Sequence, residues 1–62
     1  MRNKDRLWVG CLVYIDGGNG DLQRFFCISV NPLRFKSEAG IYEYTDENLE
    51  RDVKAGKLLI EE

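Results

Sequence analysis

Leu7-Trp8-Val9-Gly10-Cys11-Leu12-Val13-Tyr14-Ile15 and Leu22-Gln23-Arg24-Phe25-Phe26-Cys27-Ile28-Ser29-Val30, joined by Asp16-Gly17-Gly18-Asn19-Gly20-Asp21, decide the fold of this chain. Both runs are rich in β-branched and aromatic residues, which suit a pleated, half-buried surface. Asn19-Gly20 is the pair that a two-residue type I′ turn selects, because both central residues need φ > 0. Gly17 and Gly18 leave room for a bulge or a slightly longer loop. The stretch predicts a β-hairpin of residues 7–15 against 22–30.

Parity then sets an expected register. With Asn19-Gly20 at the tip, Ile15 lies opposite Arg24, Val13 opposite Phe26, Cys11 opposite Ile28 and Val9 opposite Val30. The other face holds Tyr14 with Phe25, Leu12 with Cys27 and Gly10 with Ser29, with Trp8 beyond. A slip of one residue would exchange these sets. Both faces are apolar, whereas an antiparallel pair normally turns one side to water. Either the sheet curls so that one face lines a small barrel and a helix covers the other, or one aromatic face is open to a partner.

Working outward, Met1 to Arg6 is polar and aperiodic and reads as a frayed terminus. Asn31-Pro32 ends the second run, since proline cannot donate to a ladder. Leu33 to Lys36 alternates apolar and basic residues as a half-buried strand does. Ser37 to Gly40 reads as a turn, and Ile41 to Tyr44 as a further strand with Tyr42 and Tyr44 on one side. Thr45 or Asp46 can cap a helix running to about Ala55, with Gly56 as its left-handed terminator. Leu49 and Val53, four apart, give that helix a docking stripe. Leu58-Leu59-Ile60 is a closing strand whose edge Glu61 and Glu62 keep soluble.

The expected fold is mainly β (α+β): a small curled antiparallel sheet or SH3-like barrel of about five strands, order β-β-β-β-α-β. The likeness to small SH3-like barrels is one of pattern, carried by the strand order and the short helix before the last strand. The 62 residues make a single small domain, short enough that nearly all its apolar surface is needed for stability.

Charge is unevenly spread. Residues 1–42 hold six basic and four acidic side chains, and residues 43–62 hold three basic and seven acidic ones. Such a split suits two solvated faces of opposite sign or a charge-steered partner. On the expected register Cys11 and Cys27 point to opposite faces, which forbids a disulfide and leaves two buried reduced thiols. Two cysteines without histidine do not make a zinc site. The glycines at 17, 18 and 20 lack the following lysine and helix of a phosphate loop. No signal-peptide pattern or apolar span of membrane length occurs, so a cytoplasmic protein is expected.

Nothing in the sequence supports catalysis, a metal or another cofactor. The expected function is that of a small non-enzymatic protein-interaction module or regulator acting on a larger partner, as a monomer or homodimer and away from membranes. Its expected binding residues are Trp8, Tyr14, Gln23, Arg24 and Phe25, an aromatic face rimmed by polar groups. The alternative is a single-stranded nucleic-acid surface at Arg24, Arg34 and Lys36, with Trp8, Tyr14, Phe25 and Phe35 as stacking platforms.

Overall fold

The computed structural model describes residues 2–61. Met1, the start of the polar terminus, and Glu62, the end of the acidic tail, lie outside the described residues.

Asp16 shapes the central hairpin. Its Oδ1 accepts hydrogen bonds from the backbone N–H groups of Gly18 (2.8 Å) and Gly20 (3.2 Å), while Asn19 Oδ1 accepts one from the Asp21 N–H (3.2 Å). Short polar side chains build turns in this way. The loop therefore takes in residues 17–21, and Asp16 pairs with Leu22. Strand β1 (Leu12–Asp16) meets β2 (Leu22–Val30) with Ile15 opposite Gln23 and Val13 opposite Phe25. That is one residue away from the expected register, and an odd slip exchanges the faces of one strand against the other. Phe25 and Cys27 share the buried face with Cys11, Val13 and Ile15; Arg24 and Phe26 face outward with Leu12 and Tyr14. The expected face pairing Tyr14 with Phe25 does not form.

The strand expected from Leu7 begins only at Leu12, and Gly10 is the cause. Its φ is +99°, and the Cys11 N–H bonds back to the Trp8 carbonyl at 3.1 Å, closing a turn over Trp8–Cys11. The Gly10 N–H donates to the Cys27 carbonyl (2.7 Å) and the Cys27 N–H to the Cys11 carbonyl (2.9 Å). Gly10 and Cys11 thus oppose one residue, a bulge whose first position favours left-handed glycine. The turn returns Leu7 to the core and leaves Trp8 and Val9 exposed. A second bulge falls at Ile28, because Cys27 pairs with Phe35 but Ser29 with Arg34. It resets the alternation, so that Val30, opposite Leu33, also packs against the core.

Strands β3 (Leu33–Ser37) and β4 (Gly40–Tyr44) complete a meander, and β5 (Leu58–Ile60) returns to pair with β1. The sheet is antiparallel throughout, in the order β4-β3-β2-β1-β5. The expected element order holds. The sheet curls, but its edges β4 and β5 do not pair, so the curled-sheet alternative is realised and the closed SH3-like barrel is not.

Helix α1 (Asp46–Lys54) spans the chain between those two edges and covers the concave face. Thr45 Oγ1 accepts from the Asn48 N–H at 3.1 Å, satisfying one free donor of the first turn. At the other end Gly56 (φ +78°) lets its own N–H reach the Val53 carbonyl and the Lys57 N–H reach the Asp52 carbonyl, a Schellman closure. Leu49 is fully buried and Val53 packs beside it. Residues 3–6, expected to fray, form a 3-10 helix laid on α1. Asn3 donates from its backbone and side chain to Glu50 at 3.3 Å, and Lys4 pairs with Asp46 at 3.1 Å.

Candidate functional site

The strands bury one face only, so the residues that alternate with the core form an outer, uncovered face. Across it, Leu59 lies opposite Tyr14 and Tyr14 opposite Arg24. The next row runs Leu12, Phe26, Lys36, Ile41, each opposite its neighbour. Arg34 and Glu43 follow, joined by an ion pair of 3.2 Å between Arg34 Nε and Glu43 Oε2. Phe26, Ile41 and Leu59 are 52%, 58% and 46% exposed. Tyr14 is half-buried, and its hydroxyl donates to Glu61 Oε2 at 3.4 Å. Arg24 and Lys36 enter no ion pair among the described residues.

Two clefts border this face. Gln23, Arg24 and Phe26 wall a space of about 460 Å³ with the β3–β4 turn residues Ser37, Glu38 and Ala39. At the other side Trp8, Gly10, Cys11, Leu12 and Glu61 enclose about 320 Å³. The structure therefore gathers Tyr14, Arg24, Arg34 and Lys36 on one surface, with Gln23 and Trp8 at its two borders. It does not bring Phe25 there. Phe25 is 1% exposed and packs its ring 5.1 Å from that of Tyr42, and Phe35 is equally enclosed. Neither ring can serve as a surface platform.

Phe26, Ile41 and Leu59 are the outer-face residues that sequence reasoning missed, whereas Leu12 shares the Tyr14 face as expected. The signal that could have found them is the parity of the Asp16–Asp21 loop, since a five-residue loop turns Phe26 outward where a two-residue tip turns Phe25. Charge is mixed on both sides: α1 carries Asp46, Glu47 and Glu50 with Arg51 and Lys54, and Arg2 and Lys4 pair with Asp46, while the outer face holds Arg24, Arg34 and Lys36 with Glu43 and Glu61.

Two groups elsewhere have displaced proton affinities. Burial, followed by the nearby Cys11, pushes the Cys27 thiol up, so the thiolate is its minor form at neutral pH. Burial and a hydrogen bond donated to Asp52 (3.1 Å) push the Tyr44 hydroxyl up to about 12; Tyr44 also packs edge-on against Phe35 at 5.5 Å. Both are packing groups of the core. Among the described residues, no three His, Cys, Asp or Glu side chains converge as a metal site would require, and no helix is long and apolar enough to cross a membrane. No protein family, curated protein or solved structure matches the chain.

Proposed function

We propose that this chain is a non-enzymatic interaction module that docks the outer face of its sheet on a larger protein partner. The observation that carries the reading is the exposure of Phe26, Ile41 and Leu59 on one continuous face, with Arg24 and Lys36 set among them. Exposed apolar clusters on soluble domains mark interaction surfaces, and arginine with aromatic residues is enriched there. The complementary partner presents an apolar centre bordered by carboxylates.

A nucleic-acid strand suits the face less well. Stacking of bases needs exposed rings, and here the centre of the apolar surface is largely aliphatic around Phe26, with Trp8 exposed only at the border. Glu43 on Arg34 and Glu61 on the Tyr14 hydroxyl also place carboxylates where phosphates would lie.

Affinity capture from lysate, with and without nuclease, followed by binding measurements on the purified partner, tests the reading. Phe26→Ala and Arg24→Ala should each weaken a nuclease-resistant protein complex by about 2 kcal/mol or more, as central anchors do, with the fold retained. Capture abolished by nuclease, together with steeply salt-dependent binding of an oligonucleotide, would replace it with the nucleic-acid reading.

A further inference from the structure

The register of β1 on β2 makes neighbours of the two thiols: Leu12 opposes Phe26, and one step further Cys11 opposes Cys27, just before the bulge at Gly10. The Cys27 N–H donates to the Cys11 carbonyl at 2.9 Å, and both side chains are buried on the core side of the sheet. Opposed residues in an antiparallel ladder have Cα atoms about 4.5–5.5 Å apart, inside the roughly 4.4–6.8 Å that a disulfide spans. Both cysteines are reduced, and the Cys27 thiol donates to the Ser29 carbonyl at 3.4 Å. Their surroundings differ. Cys11 lines the cleft of about 320 Å³ with Trp8, Gly10, Leu12 and Glu61, whereas Cys27 lines neither cleft.

We propose that Cys11 and Cys27 form a reversible cross-strand disulfide by exchange with a low-molecular-weight disulfide, such as oxidised glutathione, that enters at Cys11. The Cys11 thiolate attacks one glutathione sulfur and the glutathione S–S bond breaks. The departing thiolate takes up the proton that Cys11 gave up. Cys27, deprotonated in turn, attacks the Cys11 sulfur of the mixed disulfide and expels the second glutathione, which accepts that proton. Two protein thiols are oxidised, and one oxidised glutathione is reduced to two molecules of thiol. The new bond ties the Trp8–Cys11 turn to β2 and so fixes one border of the outer face.

The test equilibrates the purified chain in glutathione redox buffers, in native buffer and in urea, then quenches with acid, alkylates and maps masses. A bridge that fits the fold forms more readily in the folded chain, because stabilisation and bond formation are linked. The ratio of bridged to reduced monomer should be at least about tenfold higher in native buffer than in urea. C27S should stop at a glutathione adduct on Cys11, and C11S should leave Cys27 unmodified in native buffer. An equal or lower ratio in native buffer, or bridges between two chains in place of one within the chain, overturns the pairing. Modification of Cys27 in C11S as fast as that of Cys11 in C27S overturns the point of entry. The wild-type comparison stands even if a variant fails to fold.

Discussion

Phe25 and Phe26 are chemically identical neighbours in β2, and only the register distinguishes them. Phe25 is 1% exposed against Tyr42 and the core, while Phe26 is 52% exposed between Leu12 and Lys36. Truncating a buried phenylalanine to alanine costs about 3–5 kcal/mol. A domain of this length has roughly 3–9 kcal/mol in total, so Phe25→Ala should remove most of the stability and leave little or no folded baseline. The gentler Phe25→Leu should still lower it by about 1 kcal/mol. Phe26→Ala loses only strand propensity and part of two cross-strand contacts, about 0.5–1 kcal/mol. Chemical denaturation followed by Trp8 fluorescence and far-ultraviolet circular dichroism measures all three. At about 4–8 °C per kcal/mol for a domain this small, Phe25→Ala should melt more than about 8 °C below Phe26→Ala or show no folded transition at all. Equal losses for the two alanine variants, or the reverse order, would refute the register and with it the composition of the outer face.

Leu49→Ala should cost about 2–5 kcal/mol and Val53→Ala clearly less, since Leu49 is fully enclosed and Val53 is at the margin of the core; denaturant titration checks the ranking. Gly10→Ala forces a side chain into φ +99° at the bulge and should destabilise by about 1–3 kcal/mol although nothing crowds the added carbon, which the same titration reads. The Tyr44 hydroxyl ionises near 12 in the fold against 10.0 ordinarily, so the folded state favours its protonated form. Its contribution is complete below about pH 10 and is lost as pH rises toward 12. Tyr44→Phe should therefore flatten the fall in melting temperature across that range, and an unchanged slope would count against the part-buried hydrogen bond to Asp52.

Element order, the helix with its caps, and the short strands after Pro32 were legible because local chemistry sets each of them. Thr45 and Gly56 mark the two ends of α1, and Leu49 marks its buried stripe. The register was not legible, because the two candidate alignments sort apolar residues equally well: Phe25 and Phe26 are interchangeable to a hydrophobicity pattern. Deciding between them needs the loop, where Asp16 captures the N–H groups of Gly18 and Gly20 in place of a tight Asn19-Gly20 turn. The start of β1 is hidden from the pattern for a related reason, since Gly10 sits inside an apolar run and bends it. The one-residue difference in register is what separates Cys11 from Cys27 and exposes Phe25 in the expected hairpin. Tyr14 and Arg24 lie on the outer face and Trp8 and Gln23 border it, but as neighbours the expected register does not pair: Tyr14 opposes Arg24 and not Phe25.

The placement of β5 beside β1 has a kinetic consequence. Strands β1 to β4 pair with their neighbours in sequence, so they assemble over short loops, whereas Val13 meets Ile60 only after the helix has bridged the sheet. Long-range closure of this kind is slow relative to hairpin formation. Whenever β5 is unpaired, the β1 edge is open, and an open strand edge invites association with another chain. The three residues of β5 thus act as a latch. Their amides should exchange with solvent ahead of those in β2, and the fraction of time the latch is undone sets how often the chain is open to self-association.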